Sequence, residues 1–291
     1  MNQADIESTP EDTANSFASQ AIRKASLARY YLNLADRFAS LLEQSDGSLE
    51  GLVADEGIRQ PLLTAVGLSD KAKKYFTSDS EEDHLLEILK TLNGDNTDLK
   101  RELLFRFLLT SGDSLGGRSR NLIGREGSDR LIDTVLSVLE GKAVPFKLSK
   151  PKGEKVGAIL WDERVLLLDA KPRWINKNID VILLRFKGEE DLASLRENPA
   201  SFLACGEIKG GADPAGSDEH WKTAKSALDR IRDAFSALQE PTPPLFFAGQ
   251  AIVSGVAQEI VTDLNRGKLA KAANLARENQ VRDLANWLIS L

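Results

Sequence analysis

Apolar residues recur at helical spacing through the first half of the chain. From residue 16 to about residue 141 they return every three or four positions, as at Leu34, Phe38 and Leu42. This spacing places apolar side chains on one face of a helix and therefore predicts amphipathic helices. Residues 1–15 are acidic and polar without such spacing, so we expect a disordered lead-in there.

A glycine-rich stretch interrupts the helical pattern. Residues 110–117 contain three glycines, and we expect them to form a flexible loop between helices over residues 99–109 and 118–139. Neither a preceding strand nor a following Gly-Lys-Ser/Thr accompanies the stretch, which excludes a phosphate-binding P-loop.

After residue 142 the apolar pattern becomes that of strands. Runs rich in leucine and β-branched residues are bounded by turn residues, and helical segments are expected over residues 189–197, from about 217 to 238 with Ser217 or Asp218 as cap, and over most of 256–291. The resulting fold class is α/β (α+β), with a helical region over residues 16–141 and a mixed sheet flanked by helices over residues 142–291. The strands are expected at Val156–Trp161, Arg164–Ala170, Ile179–Phe186, Phe202–Lys209 and Leu245–Val253.

The composition excludes a disordered chain, a collagen, a protein with an internal disulfide and a membrane-spanning protein. The chain has 291 residues, 42% of them hydrophobic and 28% charged, and a single cysteine that cannot form an internal disulfide. No apolar run approaches the roughly 18 residues that span a bilayer. We therefore expect a cytoplasmic, globular protein without a membrane segment.

The basic residues are concentrated in the middle of the chain. The formal net charge is -6, yet residues 100–177 carry 16 Lys and Arg against 10 Asp and Glu, a net +6. A basic region in an acidic protein suits a polyanionic partner bound in one channel. Chance clustering on a solvated face is the alternative that charge alone leaves open.

Two strands carry the candidate catalytic residues. Glu207 and Lys209 are two positions apart on one predicted strand, so they project from the same face. If the strand that begins near Asp180 is its neighbour, two carboxylates and an amine come together. Two such carboxylates are enough to bind Mg²⁺ together with a substrate phosphate, and the lysine would orient or deprotonate the water that attacks this phosphate. A surface ion pair between Glu207 and Lys209 is the alternative.

Two other residues bear on this site. His220 falls in the first turn of the helix that follows the Glu207 strand, where it can act as a base near neutral pH or simply cap or pack the helix. Asp169 also ends a predicted strand beside a lysine. Asp162, seven residues earlier, is a candidate partner, but it is about 20 Å away at the opposite end of that strand, so this pair cannot share a cation.

Arginine, asparagine and lysine side chains form a candidate DNA-binding set. Arginine and asparagine can pair with base edges, whereas lysines suit phosphates, and a solvated helix face is the alternative. The candidates are Arg118, Arg120, Asn121, Arg125, Lys150, Lys152 and Lys222.

Several of these residues lie in a longer motif that resembles a known family. Besides Asp180, the chain contains Cys205-Gly206-Glu207-Ile208-Lys209-Gly210-Gly211 and a run from Asp213 to Ala224 that includes His220. Together they resemble type II restriction endonucleases of the PD-(D/E)xK superfamily, and more narrowly the AvaI/BsoBI group. The likeness is strongest over residues 176–232 and extends to 111–122. Ile179 stands where the superfamily name has proline.

The resemblance implies a restriction-endonuclease-like core and Mg²⁺-dependent cleavage of double-stranded DNA that leaves 5′-phosphates. It implies metal ligation by Asp180, Glu207 and the Ile208 carbonyl, a catalytic Lys209, and His220 as general base. It further implies a homodimer, a DNA-recognition or dimerisation role for the helical region, a cognate methyltransferase, a bacterial cytoplasmic location and a CYCGRG-like site. A structure-directed or repair nuclease and a noncatalytic nucleic-acid-binding module remain the alternatives.

Overall fold

A computed structural model describes residues 1–68, 75, 78–93, 98–150, 156–188 and 191–291. These residues form two compact units. One unit consists of residues 20–121, and the other joins residues 1–19 to residues 122–291. The division therefore differs from the change of apolar pattern after residue 141, because Leu131, Val135 and Leu139 are buried in the core that contains the sheet.

The secondary structure follows the order of helices first and strands later. The helices are α1 (Gln3–Ile6), α2 (Pro10–Gln44), α3 (Leu49–Ala54), α4 (Glu56–Ala65), α5 (Ser78–Leu92), α6 (Leu99–Gly141), α7 (Leu192–Leu195), α8 (Ser217–Ala237), α9 (Ser254–Asn265) and α10 (Glu278–Ser290). The strands are β1 (Phe146–Ser149), β2 (Ala158–Trp161), β3 (Arg164–Ala170), β4 (Ile179–Arg185), β5 (Phe202–Lys209), β6 (Leu245–Gly249) and β7 (Lys271–Asn274). None of these described helices is long and apolar enough to cross a membrane.

The unit of residues 20–121 is helical and has its own core. Phe38 and Leu42 of α2 are buried against Leu62 of α4 and Leu89 of α5, and Phe107 of α6 lies 5.3 Å from Phe38 between ring centroids. The three- and four-residue spacing of the apolar positions thus produces the expected buried face on each helix.

The glycine-rich stretch is helical, so the expectation of a loop at residues 110–117 is wrong. It lies within α6, a single helix of 43 residues. Each glycine costs about 1 kcal/mol relative to alanine in a helix. Burial of Leu103 and Phe107 before the stretch and of Leu131 and Val135 after it offsets that cost on both sides.

Within the described part of the chain, the sheet has seven strands in the order in which they occur along the sequence. β1 to β5 are antiparallel neighbours, whereas β5, β6 and β7 are parallel. The long helix α8 supplies the crossover between β5 and β6 that a parallel pair requires. The mixed sheet and its flanking helices confirm the fold class expected from the sequence.

Helices cover both faces of this sheet. On one face, Trp221 and Leu228 of α8 pack with Ile260 of α9. On the other face, Val135 of α6 packs with Leu284 of α10. Successive side chains along each strand point alternately into these two cores. The last residues of β5 include the polar Glu207 and Lys209, which lie at the end of the sheet where the parallel strands β5 and β6 terminate.

Residues 1–15 are ordered, which corrects the expectation of a disordered lead-in. Ile6 is fully buried in the core on one face of the sheet, and Arg277 donates hydrogen bonds to the carbonyls of Asp5 and Glu7. Thr9 and Asp12 cap α2 reciprocally. One buried isoleucine cannot produce a periodic pattern, so the sequence gives little sign of this docking.

Three further details differ from the sequence expectations. The strands β1 and β7 were not predicted, and the expected fifth strand ends at Gly249. The segment Lys271–Asn274 contains no β-branched residue and forms a strand because it pairs with buried β6. Neither Ser217 nor Asp218 caps α8, whose cap residue is Gly216.

Candidate functional site

The candidate acids and the lysine lie on two neighbouring strands. In the antiparallel pair of β4 and β5, Val181 is opposite Gly206. Asp180 precedes Val181 and Glu207 follows Gly206, so the two acids lie on adjacent strands at the same end of the pair. The two strands are therefore neighbours, as the grouping of the two acids and the lysine requires.

Short contacts join these side chains. The Lys209 Nζ lies 3.1 Å from Glu207 Oε2 and 3.8 Å from Asp180 Oδ2. The Ile208 backbone N–H donates to Asp180 Oδ2 at 2.8 Å, which fixes the carboxylate beyond the last paired residues of the two strands. The structure thus brings together one ammonium group and two carboxylates.

Glu207 is the buried member of this group. Its side chain is only 5% exposed, whereas that of Asp180 is 32% exposed. Glu207 Oε1 has no hydrogen-bond partner among the residues that the structure describes. The pKa of Glu207 is raised to about 7, because burial disfavours the charged form most and the negative Asp180 adds to the effect, while Lys209 offsets part of it.

A divalent cation fits this arrangement. Hard cations such as Mg²⁺ prefer oxygen ligands and are usually held by one or two carboxylates with several waters. Asp180 and Glu207 provide the carboxylates, and the Ile208 carbonyl lies next in the chain. The buried, unpartnered Glu207 Oε1 is the kind of atom that an ion would satisfy. No cluster of three or more His, Cys, Asp or Glu with metal-site geometry occurs among the described residues.

His220 lies against the loop that follows Lys209. An added Cβ at Gly211 would be 2.3 Å from His220 Nε2, and one at Gly216 would be 3.3 Å from it. The imidazole thus occupies space that only glycines leave free. It belongs to the first turn of α8, as the sequence predicts.

A small cavity beside Asp180 contains Asp129 and Asp169, which the sequence did not assign to the site. Its volume is about 140 Å³, and Arg125 of α6 lines it together with Asp129, Asp169 and Asp180. Asp169 enters the site through cross-strand proximity to Asp180, although it cannot share an ion with Asp162. This is a long-range contact that spacing along one strand does not show.

The other candidate DNA-binding residues have different surroundings in the structure. In the unit of residues 20–121, the Arg118 guanidinium lies 5.5 Å and 5.4 Å from the ring centroids of Tyr30 and Tyr31. Arg120 and Asn121 are exposed on α6, and Lys150 is exposed after β1. The exposed Lys222 pairs with Asp218 of its own helix at 2.7 Å. Lys152 lies outside the described residues.

Glycines allow α6 to approach the end of β5. An added Cβ at Gly210 would lie 2.4 Å from the Ile123 carbonyl oxygen, and one at Gly127 would lie 2.8 Å from Ile208 Cγ2. Neither contact leaves room for a side chain. This part of α6 is therefore held directly against the residues that follow Glu207.

The raised pKa of Glu207 makes stability depend on pH when no metal is bound. A carboxyl group that ionises near pH 4.5 in the unfolded chain and near pH 7 in the folded one disfavours folding increasingly between these values. In EDTA, Glu207→Gln is therefore expected to increase the free energy of unfolding by about 2 to 3 kcal/mol at pH 8, and by little at pH 5.

Urea unfolding at both pH values measures this difference. Glu259→Gln is the matched control, because hydrogen bonds from Trp221 and Lys225 lower the pKa of Glu259. That variant is expected to gain no stability at pH 8. An equal gain for Glu207→Gln at pH 5 and pH 8 would contradict the assignment of the effect to ionisation.

Comparison with known proteins identifies the family. The sequence model of the family described as restriction endonuclease BsobI matches residues 2–158 and 158–291. The type II restriction enzyme BsoBI of Geobacillus stearothermophilus is 32% identical over 312 residues, which cover 99% of this chain and 95% of that enzyme. The type II restriction enzyme AvaI of a Nostoc strain is 35% identical over 261 residues, which cover 83% of this chain and 82% of that enzyme.

These matches extend the likeness well beyond residues 176–232, where the sequence motifs are strongest, and include most of the first hundred residues. The resemblance to the AvaI/BsoBI group is confirmed. With the sheet, the paired acids and the lysine in place, the chain belongs to the BsoBI family of restriction endonucleases.

Proposed function

We propose that this protein is a type II restriction endonuclease. It cleaves double-stranded DNA at a short specific sequence by Mg²⁺-dependent hydrolysis and leaves 5′-phosphate ends. The observation that carries the proposal is the contact of Lys209 Nζ with Glu207 at 3.1 Å and with Asp180 at 3.8 Å, at the end of two paired strands. Membership of a restriction endonuclease family supports the same reaction.

The site residues have different proposed roles in the reaction. Asp180, Glu207 and the Ile208 carbonyl would hold Mg²⁺, which when bound polarises the scissile phosphate and lowers the pKa of bound water. Lys209 orients the attacking water through its ammonium group and offsets the negative charge that develops on the phosphate. Its contacts with both carboxylates keep the ammonium group in position for this role.

His220 is proposed as the general base. A neutral imidazole accepts a proton from water efficiently near neutral pH. The ring packs over Gly211 and Gly216, on the loop that begins directly after the Lys209 strand. This packing restricts the orientation of the ring, as a base that acts on one water requires.

Basic and amide side chains are proposed to bind the DNA. Arg125 lines a cavity with Asp180, so its guanidinium is proposed to contact the DNA backbone beside the scissile phosphate. Arg118, Arg120 and Asn121 are exposed on the helical unit, where they can reach phosphates or base edges. The remaining members of the proposed set are Lys150, Lys152 and Lys222.

The resemblance also supports proposals about assembly and target. We propose a homodimer, since two identical sites related by a twofold axis can cut both strands of a symmetric target. The helical unit would serve recognition or dimerisation, and the target would be CYCGRG-like. A cognate DNA methyltransferase would protect the same sequence in the bacterial cytoplasm.

Digestion of unmethylated phage DNA tests the proposed function. The purified protein is expected to give discrete fragments with Mg²⁺ and none with EDTA. Glu207→Ala is expected to lower the cleavage rate by about 10³-fold, because it removes a proposed cation ligand. The exposed Glu240→Ala serves as the matched control and is expected to cleave normally.

The fragments distinguish the proposed function from its alternatives. End-sequencing of discrete fragments gives the recognised sequence and the position of the phosphate. A smear that needs Mg²⁺ and Glu207 indicates a structure-directed or nonspecific nuclease. Intact DNA in every lane with folded protein contradicts the endonuclease proposal and favours a binding module.

A further inference from the structure

The loop between β6 and α9, residues 250–253, is bonded to the catalytic strand. The backbone N–H of Gln250 donates to the Lys209 carbonyl at 2.8 Å. This bond continues the parallel pairing of β5 and β6 by one step beyond Gly249. The position of the loop therefore helps to set the backbone from which the Lys209 side chain projects.

The same loop also fixes the start of the helix that carries His220. The Ser217 hydroxyl donates to the Ala251 carbonyl at 2.9 Å and accepts from the Val253 N–H at 3.2 Å. Ser217 is the first residue of α8 and is only 1% exposed. One loop thus contacts the main chain of Lys209 and the first turn of α8.

Ser8 holds this loop from its other side. The Ser8 N–H donates to the Ile252 carbonyl at 2.8 Å, and the Ile252 N–H donates to the Ser8 hydroxyl at 3.0 Å. The Ser8 hydroxyl in turn donates to the Gln250 carbonyl at 3.3 Å. Nearby, the Gln250 side-chain amide donates to the Ser16 hydroxyl at 2.6 Å.

The hydrogen-bonding capacity of the Ser8 hydroxyl is fully used. A serine hydroxyl offers one donor and two acceptor lone pairs. Besides its bonds with Gln250 and Ile252, it accepts from the side-chain amide of the fully buried Asn274 at 3.0 Å. A side chain without a hydroxyl would leave three polar groups of the loop and β7 with an unmet bond.

We propose that Ser8 is a positioning residue of the catalytic site. By fixing residues 250–253, it holds the backbone of Lys209 and the first turn of α8, which carries His220, in the geometry needed for cleavage. The inference rests on the proposed endonuclease function and adds a residue that does not touch the DNA or the cation. Displacement of a catalytic group by about 1 Å lowers rates by up to about 10²-fold.

Single-turnover cleavage at saturating protein tests this role. Ser8→Ala is expected to lower the cleavage rate about 10-fold, whereas the dissociation constant for the same DNA in EDTA changes by less than about 2-fold. Ser8→Thr keeps the hydroxyl and is expected to recover most of the rate. Rates are compared well below the melting temperature of every variant.

Thr9→Ala is the matched control for a purely structural effect. The Thr9 hydroxyl accepts from the Asp12 N–H at 3.1 Å and so caps α2, and among the described residues Thr9 forms its hydrogen bonds with Asp12 and Thr13. It is expected to lower the melting temperature about as much as Ser8→Ala and to keep the wild-type cleavage rate.

The outcomes separate the inference from the proposed function. A wild-type rate for Ser8→Ala, or equal rate losses in Ser8→Ala and Thr9→Ala, overturns the positioning role and leaves the endonuclease proposal intact. Absence of cleavage by the unmodified protein overturns both.

Discussion

Lys209→Met is expected to lower the single-turnover rate of DNA cleavage by about 10³-fold, the size of effect seen when one charge-stabilising or proton-transferring group is removed. Methionine is an unbranched side chain without the ammonium group, so the substitution removes the charge and keeps an unbranched apolar side chain at this position. The lost ammonium lies 3.1 Å from Glu207 and 3.8 Å from Asp180. Two carboxylates would then face each other without their counter-charge, and the attacking water would lose its proposed partner.

Binding and folding measurements show whether the effect is chemical. DNA affinity in EDTA and the far-UV circular dichroism of Lys209→Met are expected to match those of the wild type. Lys268→Met is the control, because Lys268 is exposed and is not one of the proposed site residues. A Lys209→Met protein that cleaves at the wild-type rate would remove Lys209 from the catalytic residues.

Gly210→Ala is expected to lower the free energy of unfolding by about 3 kcal/mol, the upper range for overpacking a buried position. The added methyl group would lie 2.4 Å from the Ile123 carbonyl oxygen and 3.1 Å from the Gly127 nitrogen. Both are backbone atoms of α6, so no side-chain rotation can relieve the contact. Because Gly210 directly follows Lys209, cleavage is expected to fall as well.

Thermal and urea unfolding measure this change, and Gly124→Ala provides the control. Gly124 lies on the same part of α6, but an added Cβ there meets no atom within 4 Å. Alanine in a helix is favoured over glycine by about 0.5–1 kcal/mol, so this variant is expected to be slightly more stable. If Gly210→Ala is as stable as the wild type, α6 is not packed tightly on the end of β5.

Local sequence signals located the two strands that carry the candidate site. β4 and β5 consist of apolar and β-branched residues bounded by turn residues, and the observed β5 spans the expected Phe202–Lys209. The alternation of side chains along a strand then places Glu207 beside Lys209. Asp180 approaches these two residues only because β4 and β5 are neighbours. The sequence alone does not establish that strand order.

Tertiary packing decided the features that the sequence did not predict. Three glycines between residues 110 and 117 argue for a loop, yet burial on both sides keeps α6 continuous. β7 lacks β-branched residues and exists because β6 offers it hydrogen bonds. Asp169 joins the cavity beside Asp180 through a neighbouring strand, a relation that spacing along the chain does not encode.

The two pieces of the sheet-containing unit are translated at different times, which affects when a new chain can cleave DNA. Residues 20–121 form a compact unit that is interposed in sequence between the two pieces of the sheet-containing unit. Ile6 and Ser8 are translated more than 260 residues before their partner Asn274. A nascent chain therefore carries Glu207 and Lys209 long before the segment that completes their surroundings has been made. If Ser8 positions the site as proposed, a nascent chain becomes competent to cut only after Asn274 has been translated.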